Sequence, residues 1–129
     1  MLSGIIVTHG GLAAALRSAA ASIAGDASQI EIVSNDGLSS ESLLRDVRAA
    51  LERAGGDGCI IFTDLSGSSC ATASLSVLRE SPQVRVVTGV NLPMLVDFLL
   101  RRSDLDLDAL VTRLLQRGHA SIQELRRGS

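Results

Sequence analysis

His9 closes a short apolar run, Gly4-Ile5-Ile6-Val7-Thr8, and is followed at once by Gly10-Gly11 and a segment of helical period. A strand that stops at a histidine and turns on glycines presents an imidazole at a helix N-terminus. In an open α/β sheet that is the carboxyl edge, where ligands bind. Asp64 ends a second such run, Cys59-Ile60-Ile61-Phe62-Thr63, and leads into Leu65-Ser66-Gly67-Ser68-Ser69-Cys70. A carboxylate at the end of a neighbouring strand could accept a hydrogen bond from one imidazole nitrogen, fixing the tautomer and leaving the other nitrogen as a nucleophile. Gly67, Ser68 and Ser69 would add backbone N–H groups and hydroxyls at a second helix N-terminus, aimed at an anion. An imidazole, a carboxylate and two helix N-termini suit a phosphoryl group in transit. The plainer alternative is a structural histidine, with Asp64 and Ser66 capping the helix that follows.

What is missing narrows the chemistry further. All 12 basic residues are arginine, which removes every mechanism that needs a lysine, the phosphate-binding-loop lysine and the Schiff base included. Two phenylalanines are the only aromatics and the net charge is -2, so the stacking platforms and basic face of a nucleic-acid binder are absent. The same poverty of aromatics argues against a sugar-stacking pocket. Cys59 and Cys70 form no CxxC pair and the two histidines no ligand cluster, so neither a structural disulfide nor a metal site is expected. The most apolar window, Leu92 to Leu100, is interrupted by Asp97 and is too short to cross a bilayer, and no basic leader precedes a long apolar segment. A cytoplasmic protein is expected, with 129 residues, 46% of them hydrophobic, forming one compact domain over 1–129.

The elements that must position these residues read as strand and helix in alternation. A strand near Leu2 to Thr8 precedes a helix with Leu12, Leu16, Ala20 and Ile23 on one face, closing near Gly25. A strand near Gln29 to Val33 turns at Asn35-Asp36-Gly37 into a helix from Ser39 or Ser40, with Leu43, Leu44, Val47 and Leu51, ended by Gly55-Gly56. Cys59 to Thr63 has the unbroken apolar character of a central parallel strand, and its loop leads to a helix with Ala71, Leu75 and Leu78. Val84 to Thr88 is the fourth strand, and Gly89-Val90-Asn91 turns into a helix that Pro93 starts. Leu107, Leu110, Val111, Leu114 and Leu115 stripe a last helix ending at Gly118. Right-handed crossovers then give a three-layer α/β sandwich with a mainly parallel sheet, whose strand-to-helix turns gather His9, Asp64, Ser66 to Ser69 and Asn91 on one edge. Ala120 to Leu125 reads as a further short strand, a candidate for edge pairing within the chain or across a dimer.

Three motifs in order, Thr8-His9-Gly10, Asp64-x-x-Gly67-x-Ser69 and Gly89-Val90-Asn91-Leu92-Pro93-Met94-Leu95, make the chain resemble the IIA domain of the mannose-type branch of the bacterial phosphoenolpyruvate-dependent sugar phosphotransferase system. The likeness covers nearly the whole chain, and the third motif is the most specific. By position it implies that His9 is the phosphorylated histidine and Asp64 its hydrogen-bonding carboxylate. Thr8, Gly10 and Gly67 to Ser69 would surround the phosphoryl group, with Cys70 and Asn91 at the rim. It also implies a donor, the phosphocarrier HPr, and an acceptor, a IIB domain. The membrane would be met only through a separate permease, and no cofactor or metal would be used. Family dimers exchange a C-terminal strand, which Ala120 to Leu125 would supply in a homodimer.

The loop after the third strand departs from the family pattern Asp-x-x-Gly-Gly-Ser/Thr-Pro, with Ser68 at the second glycine and Cys70 at the proline. Loss of the glycine is expected to restrict the backbone, and loss of the proline to remove preorganisation of the helix start. These changes keep open a partner-binding domain that has lost transfer, or a regulatory role without a permease. The phosphotransfer subunit of dihydroxyacetone kinase shares the fold, but Asn91-Leu92-Pro93 looks like the sugar branch. A response-regulator receiver would place an aspartate where Asp64 stands, yet it needs an acidic pair after the first strand and a later lysine. A phosphatase nucleophile at Cys70 would need an arginine where Ser76 stands. Asp104, Asp106 and Asp108 read as helix-start charges, and His119 as a ring favoured by a helix C-terminus.

Overall fold

The computed structural model describes residues 1–128, and its sheet is built around the two runs that lack polar alternation. Those runs, β1 (Ser3–Thr8) and β3 (Cys59–Thr63), are buried at every residue. They form the centre of a four-stranded sheet of order β2-β1-β3-β4, with β2 (Ile30–Ser34) and β4 (Val84–Thr88) at its edges. All three pairings are parallel, and the central one sets Ile5 opposite Ile61 and Val7 opposite Thr63. Strands covered on both faces call for apolar side chains, which the sequence supplies except at the strand ends Ser3, Thr8 and Thr63.

Alternation along β1 and β3 divides the core into two. Ile6, Ile60 and Phe62 pack with α1 (Leu12–Ala24), α4 (Leu92–Arg101) and α5 (Leu107–Ala120). Ile5, Val7 and Ile61 pack with α2 (Ser40–Ala54) and α3 (Ser69–Glu80). The result is the three-layer α/β sandwich expected from the alternation of elements. Phe62 and Phe98 meet edge to face with centroids 5.5 Å apart. Gly4 is what makes room for this pair, because a Cβ there would stand 3.1 Å from ring atoms of Phe98.

Several details differ from the pattern in the sequence. α1 turns Ala13 and Ala20 to the sheet and leaves Leu12 and Ile23 exposed. Small alanines let the helix approach the sheet closely, and the larger residues flank the contact. α3 buries Cys70, Ala73, Ser74 and Val77, while of the expected stripe Leu75 is exposed and Ala71 and Leu78 are only half-buried. α5 does not end at Gly118; it continues to Ala120. Gly118 faces Met94, whose Cε lies 2.7 Å from where a Cβ would be, so the glycine serves helix packing and not termination. The strand expected at Ala120 to Leu125 is not formed. Ala120 belongs to α5, Ser121 caps it, and 122–128 form no strand ladder among the described residues. Ile122 and Leu125 are 79% and 81% exposed.

α4 and α5 are tied by Asp97 and Arg113, whose Nε and Nη2 donate to the carboxylate at 2.7 and 3.1 Å. Asp97 is buried within a helix that is apolar except for its last residue, Arg101, so this bidentate pairing satisfies the charge that interrupts the Leu92 to Leu100 window. Among the described residues no helix is long and apolar enough to cross a membrane.

Replacing Gly4 by valine is expected to overpack the Phe62–Phe98 contact and cost about 1–3 kcal/mol, measured as a lower urea midpoint at unchanged slope.

Candidate functional site

The strand order changes direction between β1 and β3: the chain leaves β1 for β2 on one side and returns to β3 on the other. At such a switch point the following helices depart to opposite faces and open a crevice at the carboxyl ends of the strands. His9 follows β1 there, and Asp64 follows β3. Asp64 Oδ2 accepts from the His9 backbone N–H at 3.0 Å and pairs with the ring Nδ1 at 2.8 Å. Its Oδ1 accepts from the Leu65 N–H at 3.0 Å.

An ionised carboxylate can only accept, so Nδ1 carries the proton and Nε2 carries the lone pair. The imidazole is 40% exposed while the Asp64 side chain is 13% exposed. The ring is therefore available to a partner from outside and held from inside. Burial pushes the Asp64 carboxyl upward, but the hydrogen bonds from the His9 amide and ring, with the ring's charge, outweigh it. The net result lies below the ordinary aspartate value of 3.8.

Two turns aim the surrounding backbone. Gly10, at φ +59°, reverses the chain between His9 and α1, a conformation that strains any residue with a Cβ. Its carbonyl accepts from Ser34 Oγ at 2.8 Å, and its amide faces Asn35 Oδ1 at 3.4 Å. Ser34 and Asn35 are site-supporting residues that strand and helix patterning did not single out. Their signal in the sequence is that Ser34 ends β2, next to β1, and Asn35 opens the turn after it. α1 begins at Leu12 after Gly11, with no side-chain cap and no acidic residue in its first turn; the Leu12 N–H donates to the His9 carbonyl at 3.4 Å, and the positive end of the helix dipole stands beside His9 without a side chain to cap it.

In the second turn Gly67 has φ +70°, and Ser68 caps α3. Ser68 Oγ accepts from the Ala71 N–H at 3.3 Å and donates to the Leu65 carbonyl at 2.8 Å. Its backbone, at φ -95° and ψ 172°, is ordinary extended chain. A serine at this place is unstrained, so the expected restriction from losing a glycine does not arise. Ser69 is exposed at the first position of α3, whose dipole also points into the crevice.

Cys70 is fully buried, and its sulfur, a His9 ring nitrogen and an Asp64 oxygen all lie within 4.8 Å of one another. Burial, with the Asp64 charge added, pushes its thiol up. Thr8 is also fully buried, and its Oγ1 has no hydrogen-bond partner among the described residues. Asn91 is directed elsewhere. Its Oδ1 accepts from the Met94 N–H at 3.2 Å as the cap of α4, and its Nδ2 donates to the Gly118 carbonyl at 3.1 Å. It joins α4 to α5, and all three of its polar bonds run within that helix pair, Ser121 Oγ included. Asp106 caps α5 through the Ala109 N–H, as a helix-start charge should.

The comparisons with known proteins bear on this arrangement. The sequence model of the family described as "PTS system fructose IIA component" matches residues 3–115. The chain belongs to this family. It is 27% identical over 125 residues to the "PTS system mannose-specific EIIAB component" of Escherichia coli K12, covering 95% of the chain and 39% of that protein. The chain thus spans about two fifths of the length of that curated relative. Among solved structures, phosphotransferase system component EIIA from Streptococcus agalactiae superposes with TM-score 0.83 at 30% identity, covering 96% of this chain and 97% of that one. The mannose/sorbose-specific IIA subunit from Enterococcus faecalis gives 0.86 at 26% identity, covering 98% and 96%. The resemblance carried by the three motifs is thus upheld, and the chain is a phosphotransferase-system IIA domain of the mannose type.

The depressed Asp64 pKa gives a definite acid limb. Below an ordinary pKa of 3.8 the unfolded chain takes up the Asp64 proton before the folded chain does. Its contribution to stability is therefore complete above that value and is lost as pH falls through the folded pKa. Carbon-13 titration of the Asp64 carboxyl should give a midpoint below 3.8, and in Asp64→Asn the acid-dependent loss of stability should be shallower. A midpoint above 3.8 would reverse the sign.

Proposed function

We propose that this domain is a phosphorelay protein that accepts a phosphoryl group on His9 from phospho-HPr and passes it to a IIB domain, in sugar uptake or its regulation. The observation that carries the reading is the 2.8 Å pairing of His9 Nδ1 with Asp64, which leaves Nε2 as the nucleophilic nitrogen of a half-exposed ring. Family membership supports the same reading.

The Nε2 lone pair attacks phosphorus on the donor phosphohistidine in line with the departing ring nitrogen. One P–N bond forms at His9 as the other breaks, and the leaving imidazole keeps the electron pair. The proton on Nδ1 stays where it is, held against Asp64, which stabilises the cationic character that the His9 ring gains as phosphorus bonds. Charge on the transferring oxygens is met by the uncapped first turn of α1 and by the turn from Gly67 to Ser69. Transfer to the acceptor is the same step in reverse, with the acceptor's nucleophile in place of the donor ring. The phosphoryl group arrives on an activated nitrogen, so positioning and electrostatics suffice and no cofactor enters the step.

Of the residues expected around the phosphoryl group, Gly10, Gly67 and Ser69 keep that role through backbone and position. Ser68 acts through its cap, and Thr8 as a strand end beneath the site. The reading also includes a homodimer. β4 is an edge strand of the sheet, and Ile122 and Leu125 beyond α5 are largely exposed, so a second copy is the partner we assign to these two side chains.

Incubation with phosphoenolpyruvate, enzyme I and HPr should add one acid-labile phosphoryl group to the wild type and none to His9→Gln, read by intact mass. Acceptance by His9→Gln would overturn the assignment. Asp64→Asn should keep the fold and slow transfer by about 10²–10⁴-fold, the range of a lost general-acid/base or orienting partner. Equal rates would remove Asp64 from the mechanism. Sedimentation analysis should give a dimer for the full chain and a monomer after deletion of 122–129; a monomeric full chain would refute the exchange.

A further inference from the structure

The relay uses the His9–Asp64 pair and leaves one reactive group in the crevice unassigned. The Cys70 sulfur completes a set of one imidazole nitrogen, one carboxylate oxygen and one sulfur, all within 4.8 Å of one another. The three come from separate stretches of chain: the end of β1, the end of β3 and the first turn of α3. Such a set is the donor combination of a zinc centre with three protein ligands and one open position.

Zinc bonds of about 2.0 Å to nitrogen and oxygen and about 2.3 Å to sulfur hold tetrahedral ligand atoms roughly 3.3–3.6 Å apart. The His9–Asp64 pair at 2.8 Å would open slightly, and pairs that start as far as 4.8 Å apart would close by little more than 1 Å. Both adjustments are within reach of side-chain torsions. Solvent reaches the site from the imidazole side, while the sulfur lies at its floor. A metal would enter past His9 and leave its fourth position toward the opening.

We propose that His9, Asp64 and Cys70 form an inhibitory Zn²⁺ site in which the metal and a phosphoryl group compete for the same imidazole. The ion binds as the Cys70 thiol releases its proton to solvent, so the charge of Zn²⁺ is balanced by one thiolate and one carboxylate. If the ring ligates through Nδ1, its proton moves by way of solvent to Nε2, and the nucleophilic lone pair is gone. Where Nε2 ligates, that lone pair is the metal bond. In both geometries His9 cannot attack phosphorus while the ion is bound. A proline at position 70, as in the family pattern, offers no ligand, so the site is particular to chains with a thiol there.

Cobalt(II) is the probe, because a thiolate bound to it gives a near-ultraviolet charge-transfer band and a tetrahedral field gives strong visible bands. The full-length, reduced and unphosphorylated chain should develop both, saturate at a single equivalent, and lose them when Zn²⁺ is added. Cys70→Ala, and Cys70→Ser as a second variant should the first not fold, should abolish the charge-transfer band and weaken Zn²⁺ binding by more than about tenfold. His9→Gln should weaken it likewise. Cys59→Ser should bind as the wild type does, because Cys59 lies at the opposite end of β3, and burial pushes its thiol up to about 11. No charge-transfer band in the wild type would overturn the site, as would a band that persists in a folded Cys70 variant or disappears in Cys59→Ser. The titration contains no phosphoryl donor, so failure of metal binding and failure of phosphoryl acceptance are read separately.

Discussion

Because β1 and β3 pair in parallel, with Val7 opposite Thr63, the residues that leave these two strands emerge side by side at one edge of the sheet. Everything at the site depends on that pairing. It places a histidine and an aspartate 55 positions apart within one hydrogen bond of each other. It also sends α1 and α3 to opposite faces, so two helix N-termini converge on the same crevice. The burial of both strands at every residue keeps this geometry stiff, since a shift of register by one residue would turn each side chain to the other face.

The polar residues along the edge divide into two kinds of work. Asp64 spends three acceptor contacts on His9 and Leu65, and so it sets the tautomer, orientation and position of the ring together. Ser34, Asn35, Ser68 and Asn91 hold backbone instead: the first two fix the Gly10 turn, Ser68 starts α3, and Asn91 joins α4 to α5. The helix start that no side chain caps, that of α1, is the one beside His9. An anion held there would meet preorganised dipoles and would require no rearrangement of the chain.

Ser68 and Cys70 depart from the family pattern with different physical consequences. The serine sits at an extended backbone position and supplies the cap itself, so it preserves the helix start by another means. The cysteine turns inward, fills a fully buried position against β3, and brings a soft donor beside two harder ones.

Most elements were legible in the sequence because each is local: unbroken apolar runs mark strands buried on two faces, and Ser39, Asn91 and Asp106 mark helix starts through bonds only three residues long, whereas α3 is capped by Ser68 and not by the Asp64 or Ser66 that the sequence suggested. His9 and Asp64 were legible for the same reason, as chemistry-bearing residues at strand ends. Which face each helix buries was less so, because leucines at Leu12 and Leu75 fit a helical period as well as the alanines that the sheet contacts. Gly118 looked like a stop and is an interhelical contact, since a glycine reads alike whether it ends a helix or admits a neighbour. The expected strand after Ala120 had its apolar residues but no ladder, and a strand has no local bonds of its own to hold it. By itself, then, the sequence determined the four strands of the sheet, most of the helix starts and the placing of His9 and Asp64 at the ends of two of those strands. Only the tertiary structure decided that His9, Asp64 and Cys70 share one crevice while Asn91 does not, because their proximity comes from strand order and helix phase, which are set by packing between distant parts of the chain.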